Sequence, residues 1–107
     1  MYLLNYLTLQ LAHQLFIAVE RFRTGVGLVG AMDGSNATYT TPGLEKYVHD
    51  LPYLSIALYY NGQRLNLLDD YVVVESGGSG TGYDTVILIV TPKAGDTVQA
   101  DYVTSGP

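Results

Sequence analysis

A few side chains of this sequence have types that could do hydrolytic chemistry. His49 and Asp50 lie shortly before Ser55, and nucleophilic hydrolases use a histidine to take the serine proton and an acid to orient the histidine. No Gly-x-Ser-x-Gly turn surrounds the serine, and that turn is what exposes such a nucleophile in one large class of hydrolases. We therefore predict no catalytic residues and no enzymatic activity.

A glycine-rich run at residues 77–82 (GGSGTG) has the composition of a phosphate-binding loop. Such loops lead into a helix whose N-terminus faces the phosphate, and the nucleotide-triphosphate version also needs a lysine. This run has no lysine and lies between two predicted strands. It is predicted to be an exposed hairpin loop, and no cofactor is expected.

Several aspartates occupy predicted turns and strand ends and are the candidate metal ligands. The chain has no cysteine and two histidines, His13 and His49, and its acidic residues lack the spacing of a calcium-binding EF-hand. Aspartates in turns more often accept hydrogen bonds from nearby backbone. No metal site is therefore predicted among Asp69, Asp70, Asp84, Asp96 and Asp101.

The composition describes one acidic domain. Its 107 residues are 48% hydrophobic and 14% charged, with a net charge of -5, so the chain can bury a core and is a poor partner for nucleic acid. The absence of cysteine excludes disulfides. Residues 1–19 carry no charge, but they lack a basic start and have Asn5, Gln10 and His13 along their length, so neither a signal peptide nor a membrane span is predicted.

The leucines of the N-terminal segment have a spacing that fits both a helix and a strand. Leu4, Leu7, Leu11 and Leu15 follow helical spacing, whereas Leu7, Leu9 and Leu11 alternate with their neighbours as in a strand. An N-terminal helix or an extended arm therefore both remain open, followed by a first strand at 15–22. Residues 23–34 contain several glycines and are predicted to be a loop.

The remainder has the pattern of short strands separated by turns. Residues 54–60 alternate and run into Asn61-Gly62, the pair that a type I′ hairpin turn prefers. Residues 85–90 are apolar at nearly every position and are predicted to be a central strand buried on both faces. Further strands are predicted at 37–41, 63–66, 71–75 and 97–103. The fold class is therefore all-β, a small antiparallel β-sandwich.

Five short motifs follow one another between residues 32 and 103. They are DGSNATYT at 33–40, YYNGQRL at 59–65, DYVV at 70–73, PKAGD at 92–96 and the DY pair at 101–102. In this order they resemble a module found in structural proteins of tailed bacteriophages.

The resemblance implies an immunoglobulin-like or related β-sandwich that serves as a building block of the virion. It implies that Asn61 and Gly62 form a turn, that Gly95 and Asp96 turn the chain into the last strand, and that two tyrosines, Tyr71 and Tyr102, fill the sandwich. Residues 31–107 are then the sandwich domain. Residues 1–30 depart from the shared pattern and form an arm or helix with the first strand.

The expected function is a non-enzymatic virion protein of the neck, tail or a tail appendage. Its partners are copies of itself and other phage structural proteins, and no membrane, nucleic acid or small-molecule substrate is expected. The alternatives are capsid decoration and, from another class, carbohydrate binding on Tyr59 or Tyr83. Interface anchors are predicted in the uncharged N-terminus because a small sandwich has limited room to cover them, the alternative being that they pack on their own domain as a helix. These anchors are Tyr2, Leu3, Leu4, Tyr6, Leu7 and Leu11.

Overall fold

The computed structural model describes residues 21–105 and shows a small antiparallel β-sandwich, which confirms the predicted fold class. The predicted N-terminal helix or arm and its six interface anchors lie outside the described residues. Residues 21–105 contain seven strands and one short 3₁₀ helix. They are β1 (Phe22–Gly27), β2 (Thr38–Thr40), the 3₁₀ helix (Pro42–Leu44), β3 (Ala57–Tyr60), β4 (Gln63–Arg64), β5 (Tyr71–Val74), β6 (Thr85–Leu88) and β7 (Val98–Val103).

The strands form a four-stranded sheet in the order β1-β7-β3-β4 and a three-stranded sheet in the order β2-β6-β5. The chain crosses from one sheet to the other just after β1. The backbone N–H of Leu28 donates to Val98 O at 3.0 Å, and Val29 exchanges two backbone hydrogen bonds with Thr40, at 2.8 and 2.9 Å. This crossing ties an edge of each sheet to the other.

The reversal predicted at Asn61-Gly62 is the β3–β4 hairpin. Asn61 and Gly62 have φ values of 51° and 82°, the left-handed conformation that both central residues of a type I′ turn require. The turn sets Tyr60 opposite Gln63 and Tyr59 opposite Arg64. The hairpin therefore fixes the register of this sheet edge.

The first strand of the described residues lies where the sequence predicted a loop. Residues 22–27 pair with β7, and the register shifts between Arg23 and Val26. The irregularity includes Gly25, at φ 59°, whose N–H donates to Asp101 Oδ1 at 2.7 Å. The loop prediction was wrong because a β-bulge accommodates the glycine while the free edge of β7 supplies backbone partners.

The core between the sheets contains four buried tyrosines among its aliphatic side chains. Each hydroxyl donates a hydrogen bond, Tyr39 to Ala31 O, Tyr47 to Thr85 O, Tyr71 to Ile56 O and Tyr102 to Glu45 Oε1. These bonds offset the cost of burying a polar group. The aliphatic members are Leu28, Ile56, Leu58, Val86, Leu88, Val98 and Ala100.

Strand β6 is the centre of the three-stranded sheet, but the prediction that both its faces are buried was wrong. Thr85, Val86 and Leu88 are buried, whereas Ile87 is 38% exposed. Some of the apolar side chains on which that prediction rested therefore lie on the outer face of the sheet, where solvent reaches them.

Candidate interaction surfaces

One exposed surface is apolar and lies on the outer face of the three-stranded sheet. We call it the tip patch, and it consists of Leu68, Val72, Ile87 and Ile89, which are 72%, 40%, 38% and 74% exposed. The β5–β6 register places Val72 directly opposite Ile87, and together these side chains line a shallow groove. Contiguous exposed apolar side chains of this kind are typical of interaction sites.

A tight turn between β4 and β5 sets the position of the tip patch. Asp70 accepts the Asn66 N–H through Oδ2 at 2.7 Å and returns its own N–H to Asn66 O at 2.8 Å. Leu68 has a φ of 73° and donates its N–H to Tyr71 O at 2.7 Å. The turn therefore holds Leu68 outward, with Asp69 exposed next to it.

A second surface carries most of the positive charge. We call it the base groove, and it is lined by Arg21, Arg23, Pro42, Gly43, Leu44, Glu45, Lys46 and Thr104. Three of the five lysines and arginines of the chain therefore line one groove. Arg23 Nη2 lies 3.3 Å from Glu45 Oε2, and Lys46 Nζ lies 2.8 Å from Asp84 Oδ2.

The base groove was not predicted, because its basic residues form no continuous run in the sequence. Only the Arg-x-Arg spacing at 21 and 23 hinted at it. The β1–β7 pairing brings these arginines to the end of β7, and the turn containing the 3₁₀ helix brings Lys46 beside them. The cluster is therefore a product of tertiary structure.

The tip patch covers the outer face of β6 at Ile87 and continues past the end of the strand, whereas the base groove adjoins its start. The strand starts at Thr85, next to the Asp84 partner of Lys46. It ends at Leu88, and the following Ile89 belongs to the tip patch and donates its N–H to Asp70 O at 2.9 Å. The sandwich thus has an apolar surface flanked by acids and a separate basic groove.

Asp84 is a fully buried carboxylate at the foot of the glycine-rich loop. It accepts hydrogen bonds from Lys46, from the Ser76 N–H (3.0 Å) and hydroxyl (2.6 Å), and from the Thr85 hydroxyl (2.9 Å). Burial raises the pKa of this carboxyl, but these hydrogen bonds outweigh it and hold the pKa well below its usual value. Asp84 is therefore charged and anchors one end of the loop.

The other acidic turn residues also serve local hydrogen bonding. Asp96 accepts the Lys93 N–H through Oδ2 at 3.0 Å, a hydrogen bond from the Tyr60 hydroxyl, and one from Asn61 Nδ2 to Oδ1 at 3.1 Å. The Lys93 and Tyr60 hydrogen bonds hold the pKa of Asp96 below its usual value. Gly95 precedes it with a φ of 93°. Four motif residues, Tyr60, Asn61, Gly95 and Asp96, thus form one cluster that joins the β3–β4 hairpin to the turn before β7.

The structure brings His49 and Ser55 together. His49 Nδ1 lies 2.7 Å from Ser55 Oγ, and the His49 ring packs against Tyr83 with its edge, the centroids 4.8 Å apart. Within residues 21–105, this is the one side-chain hydrogen bond of His49, and Asp50 lies exposed in the adjoining turn. Within the described residues, the pair thus supplies two of the three side chains of a catalytic triad, and His49 makes no hydrogen bond to an acid.

The tyrosines proposed as carbohydrate platforms are not well exposed. Tyr59 is half-buried in β3, and Tyr83 packs on both His49 and Tyr47. Tyr53, which sequence reasoning missed, is 85% exposed. It borders a groove of about 570 Å³ lined also by Arg64 and Asn66.

Among residues 21–105, no three side chains of the types His, Cys, Asp and Glu converge as a metal site would require. Within the same range, no helix has the length and apolar character needed to cross a bilayer. No protein-family model, no curated protein and no solved structure matches the chain.

Proposed function

We propose that the protein is a non-enzymatic structural subunit of a tailed-phage virion, located in the neck, the tail or a tail appendage. The proposal starts from the five ordered motifs, whose residues supply turns and core tyrosines of one sandwich. The observation that carries it is the pair of exposed surfaces on that sandwich, the tip patch and the base groove. A subunit that contacts two neighbours needs two such surfaces.

The exposure of the tip patch favours an assembled subunit over a monomer. Leu68 and Ile89 are the most exposed of its members, and isolated soluble domains rarely leave several large aliphatic side chains side by side in water. The uncharged N-terminal segment adds six further apolar anchors by sequence. Contacts with copies of the chain or with other virion proteins would remove these surfaces from water.

Capsid decoration is the alternative within the same class, and localisation distinguishes the two. Light scattering after size-exclusion chromatography gives the oligomeric state, and cryo-electron microscopy of particles carrying the chain gives its place. Density at the neck, tail or an appendage is the expected result. Copies spread over the capsid shell would support decoration instead. Absence from the particle would reject both the neck or tail role and decoration.

Carbohydrate binding is the second candidate, favoured by Tyr53. An exposed aromatic ring beside polar groups is a common sugar platform, and Arg64 and Asn66 line the adjacent groove. A glycan array tests it with Tyr53→Ala and, as the matched control, Tyr53→Phe, which keeps the ring. Binding by the wild type and by Tyr53→Phe that is lost in Tyr53→Ala would support this function, and an array without binding would reject it.

A further inference from the structure

We propose that the tip patch of one copy docks into the base groove of the next copy, so that the chain assembles head to tail. The proposal deepens the assembly role proposed above and rests on it. It does not depend on where in a particle the assembly lies.

The apolar parts of the two surfaces are suited to each other. Leu68 and Ile89 protrude from the tip patch, and the base groove offers Pro42, the half-exposed Leu44 and the aliphatic stems of its basic residues. Long basic side chains readily cover apolar surface with their stems while their charged ends stay in water. An aliphatic protrusion can therefore be buried without removing these charges from solvent.

The charges beside the apolar contacts are complementary. Asp69 and Asp70 flank the tip patch. The base groove holds Arg21, Arg23 and Lys46, of which Arg23 pairs with Glu45 and Lys46 with Asp84. Among the described residues, the groove and its ion-pair partners hold three cations and two anions, in a chain whose net charge is -5. The groove thus attracts the acidic end of another copy.

The same charges argue against a symmetric dimer through the tip patch. Packing two tip patches against each other would bring Asp69 and Asp70 near their own copies, and facing like charges weaken an interface. A contact between two different surfaces has no such conflict. Because the two surfaces share no residue, each copy keeps one free surface, and the association continues into a closed ring or a filament.

Complementation between two blocked variants tests this arrangement. Ile89→Asp blocks the tip patch, and Leu44→Asp blocks the base groove. We expect the 107-residue wild type to form oligomers and each variant alone to be monomeric. An equimolar mixture of the two variants should form only a heterodimer, because one free tip patch and one free base groove remain. Light scattering and native mass spectrometry measure these states.

A charge exchange provides the second test. Asp69→Arg and Arg21→Glu should each weaken self-association about tenfold or more, and the double variant should recover most of it because the pair is exchanged. The control Lys93→Glu changes the same type of charge away from both surfaces and should have little effect.

A monomeric wild type would overturn the proposal, as would a mixture of the two blocked variants that forms no heterodimer. A double variant that self-associates no more tightly than its two single variants would also overturn it. If the chain is found in the particle while these variants still assemble, the virion role stands and the head-to-tail contact is wrong. If the variants behave as expected but the chain is absent from particles, the contact stands and the virion role is wrong.

Discussion

Lys46 Nζ lies 2.8 Å from Oδ2 of Asp84, so a charge at the wall of the base groove is paired with a carboxylate that is wholly buried. Replacing Asp84 by alanine would leave the Lys46 ammonium and the Ser76 N–H without this acceptor. The variant also loses the three hydrogen bonds that Ser76 and Thr85 donate to this buried charge, and we expect Asp84→Ala to lower the free energy of unfolding by about 3 kcal/mol. Urea denaturation followed by circular dichroism measures it.

Two variants calibrate that result. Asp84→Asn keeps the shape and part of the hydrogen bonding and should lose less stability than Asp84→Ala. Asp50→Asn changes an exposed carboxylate and should leave the urea midpoint nearly unchanged. Equal midpoints for Asp84→Ala and Asp50→Asn would contradict the anchoring role of Asp84.

Stability should fall in acid. The pKa of Asp33 is lowered by the backbone N–H groups of Ser35 and Asn36, and the pKa values of Asp84 and Asp96 are lowered as described above. The unfolded chain then binds more protons than the folded one, so the stabilisation is complete above about pH 5 and is lost as the pH falls below it. Urea midpoints across this range should decline less steeply in Asp84→Asn. A pH-independent midpoint would reject the charge assignment.

Stability should also fall in strong alkali. Burial raises the pKa values of Tyr39, Tyr47 and Tyr71, and burial with the nearby Glu45 raises that of Tyr102. The folded state therefore keeps these protons longer, and its advantage is complete below about pH 10 and shrinks above it. Phenolate absorbance should rise in two stages, the second coinciding with loss of the circular dichroism signal. A single early stage with the fold intact would show that these hydroxyls are accessible.

Gly30 lies so close to Tyr39 and Thr38 that a larger residue should destabilise the sandwich. A Cβ at this position would lie 2.4 Å from Cδ1 of the fully buried Tyr39 and 2.8 Å from Thr38 O. Since the ring has no room to move, Gly30→Ala should cost about 2 kcal/mol or more. Gly27→Ala is the matched control, because nothing lies within 4 Å of its added Cβ. Similar melting temperatures for the two variants would contradict the packing.

The predicted N-terminal anchors can be tested without changing the sandwich. We expect the triple variant Leu4→Ser, Leu7→Ser and Leu11→Ser to keep the urea midpoint of the wild type and to be lost from the particle, because these side chains are predicted to be buried against another virion protein. Thr8→Ala with Gln10→Ala is the control in the same segment. A lowered urea midpoint in the triple variant would show instead that the leucines pack on their own domain.

The part of the fold that the sequence predicted is the part where local signals and tertiary packing agree. In β7, Val98, Ala100 and Tyr102 alternate with polar residues and are buried as expected, and Asn61-Gly62 demands a reversal from its own backbone preference. In β1 the glycines predicted a loop. Those residues form a strand because they hydrogen-bond with the edge of β7.

The candidate surfaces were harder to predict because they depend on pairings between distant segments. The apolar run around Ile87 predicts a core residue. Ile87 is exposed because the core lies on the other face of its sheet. Arg21 and Lys46 become neighbours only through the folded chain. Tyr53 gave no periodic signal because it lies in a turn.

The hydrogen bond from the Thr104 N–H to Arg21 O, at 2.9 Å, places both ends of the described chain at one point of the sandwich. Strands β1 and β7 are antiparallel neighbours that meet there, so a force pulling residues 21 and 104 apart would load their hydrogen bonds one after another, as in a zipper. Hydrogen bonds that break one at a time resist less force than hydrogen bonds that must break together. A chain of such domains would bear tension much better through contacts between its ends than through the polypeptide entering and leaving each sandwich.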